Sequence, residues 1–235
     1  MTPRERPVAP WDFADLVMFI MLAILAVFPS WLLVAAMPRS ITFGKPFVAL
    51  IGQLIWYLLT FLALHLLLKI RYGVSFWKSL GWRFPFHGAV QALVAGPLLV
   101  FTLGLIGFII RTPELKLPFE QMLNNRPTLI LFALLAVVLG PLSEELVFRG
   151  FLLPLLIRPL GIAGGILTTG FIFGALHAYE YEWSWRHSLL ISLAGVTFGW
   201  ARYVWGSTAA STFMHATFNL TQFAALLARE GIPKH

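Results

Sequence analysis

Residues 127–157 read PTLILFALLAVVLGPLSEELVFRGFLLPLLI. Glu144, Glu145 and Arg149 are the only charges in these 31 residues. As one straight α-helix the run would be about 46 Å long, against a hydrocarbon core about 30 Å thick. A stretch this apolar belongs in lipid, and one this long must tilt, kink or break there. Pro141 and Pro154 are the expected bends, because a proline lacks its N–H and crowds the carbonyl four residues back.

The pattern continues outward from this run. On its N-terminal side lie the uncharged stretch 16–37, interrupted by Pro29, then 46–68, and 88–110 with Pro97 inside it. On its C-terminal side lie 159–179, 187–205 and 207–228. Segment 69–87 mixes Lys69, Arg71, Lys78 and Arg83 with Tyr72, Phe76, Trp77 and Trp82, which suits a short interfacial stretch near 72–83. The composition agrees: 59% hydrophobic, 11% charged, mean hydropathy +0.82, where soluble domains are roughly a quarter charged. The expected fold is all-α, a polytopic transmembrane helix bundle of about seven spans with a long kinked fourth helix. Residues 1–235 read as a single transmembrane domain, since no repeat or linker divides them.

With no cysteine in the chain, disulfides, thiolate-bound zinc and thiol catalysis are excluded. The net charge of +7 does not point to nucleic acid. Its cations, Arg4 and Arg6 among them, sit in short segments beside apolar runs, where they set topology and meet anionic lipid. Lys and Arg divide evenly between the two sides of the bilayer and leave orientation open, with the dense cluster from Lys69 to Arg83 leaning toward an N-terminus inside. The first run is too long for the core of a cleavable signal and reads as a retained span. Trp11, Trp77, Trp82, Trp183, Trp185 and Trp205 fall at span edges and read as an aromatic belt. His65, His87 and His187 read as interfacial.

An ionisable group at membrane depth normally has a partner or a job. Such groups concentrate in the later spans: Glu144, Glu145 and Arg149, then His177, then His215 with Asn219. Glu145 and Arg149 are four apart and share a helix face, as an ion pair requires. Glu144 points about 100° away from Glu145. Phe173 with His177, and His215 with Asn219, repeat the four-residue spacing. Taken singly, each His reads as a helix-to-helix hydrogen bonder. If the three spans meet, Glu144, His177, His215 and Asn219 converge on one pocket.

Three motifs stand in order: Glu144-Glu145-Leu-Val-Phe-Arg149, Phe173-Gly-Ala-Leu-His177 and His215-Ala-Thr-Phe-Asn219. They resemble the EExxxR, FxxxH and HxxxN motifs of the CAAX-protease and bacteriocin-processing family of intramembrane proteases. The resemblance covers roughly 137–226, and the motif core falls within 127–228. It implies an endopeptidase that cuts a membrane-associated protein or peptide. In that reading Glu144 is the general base and His177 positions the same water. His215 and Asn219 donate to the oxyanion, and Glu145 with Arg149 is the supporting pair.

Two cofactor readings follow. Glu144, His177 and His215 have the chemistry of three zinc ligands with an open fourth position. The chain lacks the HExxH helix of zinc peptidases, and Asn219 suits an oxyanion donor better than a ligand, so the metal-free reading is favoured. The implied partners are a membrane-borne substrate and the bilayer, in the plasma membrane of a prokaryote. The readings from other classes are a non-catalytic immunity or partner-binding protein of the same fold, and a small transporter. A transporter more often shows repeated halves.

Overall fold

The computed structural model describes residues 9–38, 44–84, 88–115 and 125–230. Arg4, Arg6 and His87 lie outside them. Among the described residues the chain is helical throughout, with no strand. α1 (Phe13–Leu25) and α2 (Val27–Ala35) form the first apolar passage. The break between them falls at Ala26, just ahead of Pro29. Proline at 29 cannot donate to the Leu25 carbonyl, so the helix ladder parts there. α3 (Lys45–Tyr72) ends on Gly73 in the left-handed conformation, φ 62°. The short α4 (Phe76–Ser79) occupies the expected interfacial segment. Its Trp77 is exposed, while Phe76 and the following Leu80 are buried in the bundle. α5 (Ala89–Ile109) is the third passage.

The long fourth stretch is not a uniform helix. α6 (Arg126–Leu134) passes into a π-helical segment, Leu135–Leu139, then α7 (Gly140–Glu145), a second π-helical segment, Leu146–Leu152, and α8 (Leu153–Leu176). Pro141 and Pro154 stand in the first turns of α7 and α8, each directly after a π segment. A widened turn leaves room for the proline ring and tolerates its missing hydrogen bond. α8 itself breaks at Gly161, φ 68° and ψ 177°, a backbone state open to glycine and strained for other residues. α9 (Trp185–Trp205) and α10 (Thr208–Glu230) complete the chain.

Among the described residues four helical stretches are long and apolar enough to cross a membrane: 13–35, 45–72, 89–109 and 126–176. The last has 51 residues, about 77 Å if straight, which is long enough for two passages. α9 and α10 are of spanning length but more polar, and each contributes residues to the lining of the central cavity. Lipid-facing positions are apolar: Phe108 on α5 is 82% exposed, and Phe28 and Trp31 on α2 are likewise outside. The chain is therefore an integral membrane protein.

Two helix contacts set the bundle's geometry. α8 meets α9 through Gly170 and Gly174, and α5 meets α10 through Gly96. A Cβ on Gly174 would lie 2.5 Å from the Ser188 carbonyl oxygen and 2.7 Å from the Ser192 nitrogen. Backbones this close require a residue without a side chain. Trp11 departs from the aromatic belt expected of it. It is fully buried, its ring stacks on Phe151, and its Nε1–H donates to the Phe151 carbonyl at 2.9 Å. Its indole has exchanged the lipid interface for a carbonyl of the second π segment. Asp15, also fully buried, pairs with Arg71 at 3.1 Å and accepts from the Tyr72 hydroxyl.

Candidate active site

Glu145 and Arg149 face inward from α7 and the second π segment, and both are 0% exposed. Arg149 Nη1 donates to Glu145 Oε1 at 2.8 Å, and Nη2 donates to the Gly195 carbonyl of α9 at 2.6 Å. The guanidinium carbon lies 4.8 Å from the ring centre of Phe173 and 5.5 Å from that of Phe198. Aromatic faces are fitting neighbours for a cation that has lost its water.

Glu145 has a second partner that the motif spacing did not reveal. His215 Nδ1 lies 3.1 Å from the same Oε1. Because the carboxylate only accepts, Nδ1 carries the hydrogen. The imidazole stacks on Phe198 with ring centres 4.4 Å apart and meets Phe173 edge-on. Three contacts thus fix ring plane, tautomer and position. Nε2 of His215 is turned toward Glu144 Oε2, 3.8 Å away. Glu144 keeps 23% of its side chain exposed and opens onto a cavity of about 830 Å³.

His177 caps the C-terminal end of α8. Its Nδ1 lies 2.7 Å from the Phe173 carbonyl, an orphan acceptor of the last helical turn. Nδ1 therefore donates, and the Nε2 lone pair is left for the cavity. Asn219, one turn beyond His215, donates from Nδ2 to the Ala136 carbonyl of the first π segment at 2.7 Å. That bond fixes the amide and leaves its second N–H unspent. Glu144, His177, His215 and Asn219 all line the one cavity. Glu145 and Arg149 lie behind it. Among the described residues no three His, Asp or Glu side chains are grouped closely enough to hold a metal ion.

The cavity has further polar lining: Tyr57 and Gln53 from α3, Glu180 and Tyr181 from the 3₁₀ turn Ala178–Tyr181, and His187 from α9. His187, expected at an interface, stacks on Tyr181 and meets Ser184 Oγ at 2.9 Å. Glu180 is exposed on the rim. Burial of its inner side raises its carboxyl above the ordinary value of 4.5, against the opposing charge of His177, and Glu144 adds to the rise. Desolvation pushes the neighbouring Tyr181 hydroxyl up to about 12. No motif announced these residues. Glu180 is within reach of sequence reasoning only as a carboxylate three residues past His177.

Residues 126–221 match the family model described as type II CAAX prenyl endopeptidase Rce1-like. No curated protein and no solved structure matches the chain.

Proposed function

We propose that this chain, which carries the Rce1-like domain of the CAAX-protease and bacteriocin-processing family, is an intramembrane endopeptidase that hydrolyses a peptide bond of a membrane-associated protein or peptide without a metal. One observation carries the reading: Glu144, His177, His215 and Asn219 reach one water-accessible cavity from three separate elements.

The division of labour follows from the hydrogen bonds. Glu144 is the partly exposed carboxylate, outside the Glu145–Arg149 ion pair, and it takes the proton from water. His177 Nε2, its other nitrogen committed to the Phe173 carbonyl, accepts the water's second hydrogen and aims the lone pair at the scissile carbon. Attack forms the C–O bond and moves the carbonyl electron pair onto oxygen. Asn219 supplies its unspent N–H to that oxyanion. His215 supplies Nε2–H when both ring nitrogens are protonated, the form that satisfies a carboxylate at each. Collapse breaks the C–N bond, and Glu144 returns its proton to the leaving amine. Glu145 and Arg149 neutralise each other and hold His215. The setting proposed is the plasma membrane of a prokaryote, with the peptide entering from the bilayer.

The test is cleavage of a membrane-anchored, quenched fluorescent peptide set in liposomes. Glu144→Ala and His177→Ala should each lose about 10²–10⁴-fold in kcat, with the folded state retained. Activity should persist in excess 1,10-phenanthroline. Wild-type turnover in both variants would overturn the assignment, and loss of activity to the chelator, restored by zinc, would overturn the metal-free part.

A further inference from the structure

The catalytic constellation comes from residues 126–221, yet one wall of its cavity is α3. Tyr57 and Gln53 stand there one helical turn apart, and both line the cavity. Gln53 Nε2 donates to the Tyr57 hydroxyl oxygen at 3.1 Å. That bond takes one acceptor site of the hydroxyl and leaves its hydrogen to point elsewhere.

Gly140 shows where it can point. A Cβ built on Gly140 would lie 3.6 Å from Tyr57 Oη and 3.8 Å from Glu144 Oε1. The two oxygens therefore flank one small gap, kept open because residue 140 has no side chain. The same Cβ would lie 2.8 Å from the Leu135 carbonyl oxygen, so the first π segment also demands glycine here. Glu144 Oε2, meanwhile, faces His215 on the opposite side.

We infer that Tyr57, oriented by Gln53, is a positioning residue for Glu144: its hydroxyl donates toward Oε1, directly or through one water, and so aims the carboxylate at the reacting water. The inference rests on the proposed peptidase reading and extends it to a helix outside the matched domain. A hydrogen bond to a charged acceptor is among the stronger ones in a low-dielectric site. Losing it frees the Glu144 side chain to rotate, which slows the proton transfer and leaves peptide binding alone.

The experiment measures kcat and KM on the liposome-borne peptides for wild type, Glu144→Ala, Tyr57→Phe, Gln53→Ala and the Tyr57→Phe/Gln53→Ala pair. Tyr57→Phe keeps the ring and its packing. It should lower kcat about tenfold or more with KM within twofold. Gln53→Ala should show a smaller fall of the same kind and add nothing to Tyr57→Phe, because Gln53 acts through the hydroxyl. Gln53→Ala leaves the tyrosine packing untouched and carries the test if Tyr57→Phe does not fold. Wild-type activity that survives Tyr57→Phe or Gln53→Ala with kcat unchanged overturns this inference and spares the peptidase reading. So does a fall seen only in KM, or additive losses in the pair. A wild type that cleaves no better than Glu144→Ala overturns both.

Discussion

Arg149 holds Glu145 with one guanidinium nitrogen and the Gly195 carbonyl with the other, and no part of its side chain reaches solvent. Removing it would leave a buried carboxylate without its cation. Arg149→Ala should therefore destabilise the fold by about 3–5 kcal/mol, read as a large drop in the thermal unfolding midpoint in detergent. Arg149→Lys keeps the charge but has no fork to span both acceptors, and should fall between the two. Equal stability of Arg149→Ala and wild type would mean that Glu145 is held by other means. Glu180 allows a prediction of opposite sign. Its carboxyl is raised in the folded state, so the folded protein binds that proton more tightly than the unfolded chain does. Ionisation therefore costs stability as pH climbs from near 4.5 through the folded value, and the full cost is present above it. Glu180→Gln removes the ionisation. It should match wild type in unfolding midpoint at pH 4 and exceed it at pH 8. A gap that shrinks with rising pH would refute the shift.

Helices α8 and α9 show what spacing can and cannot convey at the scale of elements. Gly161, Gly164, Gly165, Gly170 and Gly174 read in the sequence as a slim span that packs closely; Gly170 and Gly174 do lie against α9, whereas Gly161 is where α8 breaks. Gly174→Ala should push α8 off the Ser188 and Ser192 backbone, at a cost of about 1–3 kcal/mol. It should also disturb His177, which hangs on the last turn of the same helix. Gly104→Ala is the control, since its Cβ would meet nothing within 4 Å, and it should be neutral or slightly stabilising. Identical melting of both variants would refute the close contact. The π segments before Pro141 and Pro154 were legible only as bends. Apolar periodicity does not distinguish a π turn from an α turn when nearly every residue is apolar. The consequence is functional, because the first π segment presents the Ala136 carbonyl that holds Asn219. The double use of Glu145, for Arg149 and His215 together, was hidden for a related reason. Four-residue spacing reports partners on one helix, and His215 is 70 residues away.

Across the whole molecule, the first 125 residues lie outside the matched domain, yet the helices described among them pack against it. The segment around Trp11 is the clearest case. Its indole donates to the Phe151 carbonyl, and its own carbonyl accepts from Arg158 Nη1 at 2.9 Å. A few residues on, Asp15 ties the same turn to Arg71 and Tyr72 at the end of α3. The N-terminal turn thus straps α3 to the second π segment, whose other face carries Arg149. A tryptophan at a span edge reads as a belt residue because hydropathy registers depth along the chain and says nothing of a partner 140 residues away. Trp11→Phe separates the two contributions, since it keeps an aromatic ring against Phe151 and deletes only the N–H. The Phe151 carbonyl, 0% exposed with its residue, would then lack this donor in a place water does not reach. Losing a buried hydrogen bond costs about 0.5–1.5 kcal/mol, so Trp11→Phe should unfold at a lower temperature in detergent. Cleavage by the fraction that remains folded should keep the wild-type KM, because no part of the strap lines the cavity. A variant as stable as wild type would show that the carbonyl finds another donor. One that is stable but shifted in KM would show that the strap reaches the site through the second π segment rather than merely closing the bundle.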